Sequence, residues 1–212
     1  MTLGAADPRS LPVRWAVSER ARDEGEPSGD TYLVRDCGAS ILIAVVDGLG
    51  HGPEAAAAAH EAVAILEGVP AMPPQSLESL VARCHDGLRR TRGVVMTLAS
   101  FDLDAWRLSW LAVGNVEAVL VRADPRANPA REWLVLRGGV VGYTLPPLRT
   151  SATPVAPRDT LVLATDGVRG GFAEHVAAED PPHAVADRIL TRGASDDDDS
   201  LVLVARFAGD PS

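Results

Sequence analysis

The sequence predicts an α+β fold: antiparallel sheets with helices packed on their outer faces. Three observations carry this. Apolar, β-branched runs of strand length recur from Ile41 to Phe207. The turns between them carry Asp104, Gly114-Asn115 and Asp124-Pro125. Helical patterns come as one pair before the main run of strands and another after it.

Taken in order, Met1 to Leu11 is polar and proline-punctuated and reads as a loose tail. Val13, Trp15 and Val17 alternate with polar or small residues, the pattern of a half-buried strand. Arg20 to Ser28 is a charged loop, followed by a short strand from Thr31 to Val34 and a hairpin connection from Asp36 to Ser40. Ile41 to Val46 is unbroken apolar sequence and reads as a strand buried on both faces. If these two strands pair antiparallel, Asp30 and Asp47 share one end, since one strand starts where its neighbour stops.

After Asp47 come glycines at 48, 50 and 52, which let the backbone turn tightly. Pro53 suits the first position of a helix, Glu54 suits its dipole, and AAAAAHEAVAIL has high helix propensity. That predicts a helix from Pro53 to Glu67. Ser76 caps a second, to about Arg90, with Leu77, Leu80, Val81, Cys84 and Leu88 at helical spacing. Strands are expected at Val94–Asp102, Arg107–Val113, Ala118–Arg122 and Trp133–Leu136. A proline-rich crossing, Tyr143 to Pro157, leads to a strand from Thr160 to Ala164. A helix at Pro182–Leu190, a turn at Ser195–Asp199 and a last strand, Leu201–Phe207, complete the chain. One domain is expected over residues 12–208, with tails at 1–11 and 209–212.

Composition narrows the function. The chain has 212 residues, 46% of them hydrophobic, enough for one sizeable core. No apolar run reaches membrane-spanning length, and MTLGAADPRS lacks a basic-then-apolar signal pattern, so a cytoplasmic protein is expected. Cys37 and Cys84 stand alone, without CxxC or Cys/His spacing, and read as reduced thiols. A formal charge of −9, with no Lys/Arg stripe, argues against nucleic acid as a partner.

The acids are the informative feature. Asp47 ends a buried strand with no polar residue before it, and Asp166 repeats this after Leu161-Val162-Leu163-Ala164. Asp196 to Asp199 precede LVLVARF, and Asp30 precedes another strand. Singly these have plain readings: Asp-Gly is a turn dipeptide, and an Asp run is usually solvated. Together they put an acid at one end of four strands. Two like charges about 4 Å apart repel by roughly 4 kcal/mol at an effective dielectric near 20. Acids gathered in one cleft therefore call for cations, and oxygen ligands suit magnesium or manganese. A dinucleotide loop at Gly48-x-Gly50 is disfavoured: position 53 is proline where a third glycine belongs, and no good strand follows the helix.

Gly29-Asp30, DGLGHG leading into Pro-Glu-Ala, ATDG, and DDxS before a final apolar strand occur in that order along nearly the whole chain. Together they resemble the metal-dependent protein phosphatases of the 2C type, most closely the bacterial SpoIIE-type branch. Val113-Gly114-Asn115 and Gly138-Gly139-Val140-Val141-Gly142 resemble it too. With no sensor segment before these motifs, the chain is similar to the short stand-alone, RsbX-like phosphatases of the stressosome pathway. The resemblance implies a four-layer α/β/β/α sandwich, two antiparallel sheets flanked by pairs of helices. It implies two ions, manganese or magnesium, with Asp47 bridging them. The carbonyl of Gly48 and the side chain of Asp30 would help hold one ion; Asp166 and Asp197, with Asp47, the other. Asp197 is chosen because the family ligand stands three residues before the hydroxyl residue, here Ser200, which leaves Asp198 as its neighbour. Ser28 in place of a glycine, and Ser200 where threonine is common, depart from the pattern.

The activity so implied is hydrolysis of phosphoserine or phosphothreonine by metal-activated water. The expected substrate is a phosphorylated regulatory protein: a STAS-type stressosome scaffold or an anti-sigma antagonist. A monomer is expected. No covalent nucleophile is needed, and no GxSxG is present. A metal-bound water could protonate the leaving serine oxygen, and so could His51, although a histidine in a glycine-rich turn is more often there for shape. His60 and His85 read as helix-surface residues, His175 and His183 as surface residues, and Arg20, Arg22 and Arg169 as solvated. Trp106, Trp110 and Trp133 read as packing. The competing functional class is a binding module on the same fold that docks a partner with little or no catalysis. A carboxylate nuclease is disfavoured by the acidic surface.

Overall fold

A computed structural model describes residues 12–23, 25–72 and 75–209. The tail expected at 1–11, and residues 210–212 of the one expected at the C-terminus, lie outside them. One five-stranded antiparallel sheet has the order β1-β10-β9-β6-β7: Val13–Arg20, Ser200–Phe207, Thr160–Ala164, Glu117–Val121 and Arg131–Trp133. The other runs β2-β3-β4-β5-β8: Asp30–Asp36, Ser40–Gly48, Val94–Asp102, Arg107–Val113 and Ser151–Pro154. Helices α1 (Pro53–Gly68) and α2 (Leu77–Gly87) cover the second sheet. Helix α3 (Pro182–Gly193), with a short 3-10 turn at Phe172–His175, covers the first.

The period-two alternation of strands builds these layers. In β3, Ile41, Ile43 and Val45 face the space between the sheets, while Leu42, Ala44 and Val46 face α1 and α2. In β10, Leu201, Leu203, Ala205 and Phe207 point inward, and Val202 and Val204 point to α3. Three apolar clusters result, one in each gap between four layers. The alanines of α1 let it lie close: Ala55, Ala58, Ala59 and Ala62 are fully buried.

Most elements fall where expected, and three differ. Ser151–Pro154 forms β8 inside the expected crossing. It is a short edge strand of Ser-Ala-Thr-Pro, so it carries no apolar alternation, and its proline is tolerated at an edge. The strand expected at Trp133–Leu136 is β7, Arg131–Trp133, displaced toward the N-terminus. The later helical pair is one α-helix and one 3-10 turn. Trp110 is buried in the core, Trp106 packs edge-on against Phe207, and Trp133 against Phe172, as packing roles require. His85 is not a free helix-surface residue. Its Nδ1 accepts the Gly142 N–H at 3.0 Å, tying α2 to the glycine-rich segment 138–142.

Candidate metal centre

The centre begins where β3 ends. Asp47 lies directly across the β2–β3 ladder from Asp30, as the hairpin reading required. Close approach of α1 fixes the next residue. A Cβ on Gly48 would stand 2.1 Å from the Ala55 carbonyl oxygen, so only glycine lets the helix start here. Gly48 N–H in turn donates to the Gly29 carbonyl at 3.0 Å, closing the end of the hairpin.

The other sheet delivers its acids to the same end. Strand β9 runs out at Ala164, and Thr165-Asp166-Gly167 turn beside the start of β10. Gly167 is pressed against the chain: a Cβ there would lie 1.9 Å from the Asp199 carbonyl oxygen. Thr165 bridges the sheets, its hydroxyl donating to Asp30 Oδ2 at 2.7 Å while its Oγ1 accepts the Leu201 N–H at 2.9 Å. Asp199 is buried and accepts two backbone N–H groups, from Gly29 at 2.7 Å and Arg22 at 2.8 Å. It therefore anchors the β1–β2 loop. Asn115 Nδ2, from the β5–β6 turn, donates to Asp166 Oδ2 at 2.6 Å.

These contacts frame a cleft of about 320 Å³ lined by Asp47, Asp166, Asp197, Asp198, Asn115 and His51, with Arg22 and Val140 among its other walls. Asp30 is buried behind Asp47. The four acids singled out in the sequence thus reach one mouth of the sandwich. Asp197 and Asp198 both face it, and Asp196 pairs with Arg20 at the rim.

The electrostatics are unfavourable without a counter-charge. Burial pushes the Asp47 carboxyl up to about 8, and the charges of Asp30, Asp166, Asp198 and Asp199 push it the same way. Burial also lifts Asp30 to about 7; the Thr165 hydroxyl opposes this, and Asp199, Asp198 and Asp166 reinforce it. Asp198 is raised as well, chiefly by burial. Asp197 does not figure among the neighbours acting on Asp30 or Asp47. Among the described residues no Lys or Arg forms an ion pair with Asp30, Asp47, Asp166 or Asp198. Nor, among them, do three or more His, Cys, Asp and Glu side chains close into a metal cage. Asp30, Asp166 and Asp199 are instead turned to protein donors. An all-oxygen set of converging carboxylates, of which Asp30 and Asp47 are strongly desolvated, is nonetheless the donor chemistry that a hard divalent cation satisfies.

Sequence reasoning had not assigned parts to Thr165, Asn115 or Asp199. A hydroxyl or amide acts here by reaching across the fold, and nothing local in sequence marks that. Of the arginines near the motifs, Arg22 lines the cleft, Arg20 bonds the Ser195 carbonyl and Asp196, and Arg169 is exposed outside the lining. Cys84 is buried, with its thiol pushed up to about 12, and is no nucleophile. No described helix is long and apolar enough to cross a membrane.

Comparison with known proteins agrees with this fold. The model of the family described as Stage II sporulation protein E (SpoIIE) matches residues 38–208. Phosphoserine phosphatase RsbX of Bacillus subtilis (strain 168) is 26% identical over 92 residues, which span 43% of this chain and 45% of that protein. The match thus spans less than half the length of that curated relative. A solved chain described in the words "The bacterial stressosome: a modular system that has been adapted to control secondary messenger signaling" is 30% identical. It has a TM-score of 0.81 and covers 92% of this chain and 99% of its own. A structure of RsbX in complex with magnesium shares the fold, with 16% identity, a TM-score of 0.79, and 92% and 96% of the two chains covered.

Proposed function

The chain belongs to the SpoIIE family, and from that premise we propose that it is a metal-dependent protein serine/threonine phosphatase. Its substrate would be a phosphoserine or phosphothreonine on a regulatory protein of the stressosome or anti-sigma type, in the cytoplasm. The observation that carries the reading is the pair Asp30 and Asp47, raised to about 7 and about 8, with Asp47 lining a cleft of about 320 Å³ and Asp30 buried behind it. An acid cluster kept at that expense has a use for cations.

In this reading Asp47, Asp30, the Gly48 carbonyl, Asp166 and Asp197 hold two divalent ions, with Asp198 beside Asp197. Such ions acidify a water and offset charge on the phosphoryl oxygens. The rest is done by the chain. Thr165 orients Asp30, Asn115 orients Asp166, and Asp199 fixes the β1–β2 loop against Gly29. His51, exposed at the cleft wall, or a water could give a proton to the leaving serine oxygen. Two features support the identity of the relatives' chemistry here: the family match across residues 38–208, and a relative named as a phosphoserine phosphatase.

The test is p-nitrophenyl phosphate hydrolysis with added manganese or magnesium, followed by loss of phosphate from phosphorylated STAS-type proteins. Turnover that requires metal and disappears in Asp47→Asn is expected. Metal-independent binding of such a protein, with no turnover at any metal concentration, would instead establish a docking module.

A further inference from the structure

A second cavity, of about 690 Å³, lies at the other end of the β1–β10 ladder. Arg14 and Arg206 stand directly opposite one another there, in register. The cleft end of the same ladder is the pair Arg20 and Ser200, six residues along β1, or roughly 20 Å away. The two sites are therefore separate.

Three guanidinium groups, Arg14, Arg158 and Arg206, line this cavity with His183, in a protein of net charge −9. Like charges directly opposite on paired strands repel. Arg206 is held rigidly: Nε donates to Thr160 Oγ1 at 2.9 Å, Nη1 to the Asp180 carbonyl at 2.5 Å, and Nη2 to the Ala177 carbonyl at 3.2 Å. Those partners are neutral, so its charge is not cancelled. Burial, and then the charge of Arg158, lower its pKa, while Asp180 and Glu179 act the other way. The Asp180 carboxylate is engaged by Arg188. Glu179, which lines the cavity, is its one acidic wall residue against the three arginines.

The backbone supports the same arrangement. Arg158 has φ +74°, a left-handed conformation that side chains other than Gly and Asn avoid. It is kept there by its N–H on the Phe207 carbonyl at 2.7 Å and its Nη2 on the Ala178 carbonyl at 3.2 Å. Arg14 meets no carboxylate among the described residues. The first turn of α3, beside His183, holds no acid and no side-chain cap. The remaining wall is apolar, with Trp15, Pro181, Pro182 and Phe207. A cavity of this size, mostly apolar with a few convergent charges, has the character of a small-molecule site.

We propose that this cavity binds a small phosphorylated molecule that joins an anionic group to an apolar part, Arg14 and Arg158 gripping the anion against the fixed guanidinium of Arg206. The proposal does not depend on the phosphatase reading. Calorimetric titration of the whole chain in EDTA, with AMP and with inorganic pyrophosphate as probes, tests it. Saturable binding of AMP is expected, tighter than that of pyrophosphate, which lacks an apolar part, and unchanged in Asp47→Asn. It should weaken by about tenfold or more in Arg14→Ala and in Arg158→Gly, since each removes a charge-assisted contact. Glycine suits the left-handed backbone at 158, so that variant keeps the fold. Absence of saturable binding to the wild-type chain overturns the proposal. So does binding that both arginine variants leave unaltered, or that Asp47→Asn abolishes.

Discussion

The two ends of the β1–β10 ladder carry opposite charge and handle it differently. At one end four acids converge: burial, with the charges of neighbouring carboxylates, raises the pKa of Asp30, Asp47 and Asp198, and Asp166 is one of those neighbours. At the other, Arg206 is surrounded by carbonyl and hydroxyl oxygens that the fold supplies locally. The difference is chemical. A guanidinium is a fork of donors, and the ends of loops offer many carbonyls to receive it. A carboxylate only accepts, and the loops around Asp47 supply too few N–H and O–H donors for every acid. Asp199 takes two N–H groups and Asp30 takes one hydroxyl, while among the described residues no donor bonds the Asp47 carboxylate. The acidic end therefore lacks both donors and a counter-charge, whereas the basic end lacks only a counter-charge.

Breaking that contrast at its strongest point gives the largest effect. Asp47→Asn should lower metal-dependent turnover by roughly 10³-fold, about 4 kcal/mol in the barrier, read as kcat/KM on p-nitrophenyl phosphate. The same variant removes a buried charge, so without metal it should melt higher than the wild type at pH 8. Manganese at about 100 times its dissociation constant should add roughly 2.7 kcal/mol of stability to the wild type and markedly less to Asp47→Asn. In differential scanning calorimetry that is a rise of some ~5–10 °C for a chain of this size. An unchanged melting point would count directly against the cations.

A steric change comes next. Gly48→Ala sets a methyl against the Ala55 carbonyl and should destabilise the fold by about 1–3 kcal/mol in urea titration. Thr165→Val is smaller. It should cost about 10–100-fold in metal affinity and lower the melting point of the metal-free chain modestly, since the buried Leu201 N–H loses its acceptor.

The pH dependence of the metal-free chain sharpens the comparison further, and its sign follows from the raised values. Folded Asp30 and Asp47 keep their protons to about 7 and about 8, whereas unfolded they lose them near 3.8. Between about pH 4 and pH 8 the folded state therefore binds more protons than the unfolded one, and stability falls as pH rises. Saturating metal should flatten that slope. A slope that survives in Asp47→Asn at full strength would place its origin elsewhere.

Much of this was legible in residue order. Ile41 to Val46 declared a strand buried on both faces, and it is the strand whose alternate residues feed two separate cores. The acids at strand ends were visible because a charge after an apolar run is conspicuous, and antiparallel pairing then placed Asp30 beside Asp47. Strand β8 was not visible, because four small or polar residues at a sheet edge are held by a neighbour's hydrogen bonds and not by their own pattern. His85 was misread for a related reason: its partner, Gly142, lies 57 residues away.

By itself the sequence determined the buried strands, the glycine-lined turn after Asp47 and the acids at strand ends, since alternation, turn chemistry and charge are written locally; the layer order and the choice of Asp197 came through the family resemblance. The tertiary structure alone decided which donors each acid receives, that Asp199 anchors the β1–β2 loop while Asp197 and Asp198 face the cleft, and that Arg14, Arg158 and Arg206 meet. Those contacts join residues scores of positions apart. Their energies depend on burial and distance, which exist only once the sheets have closed on each other.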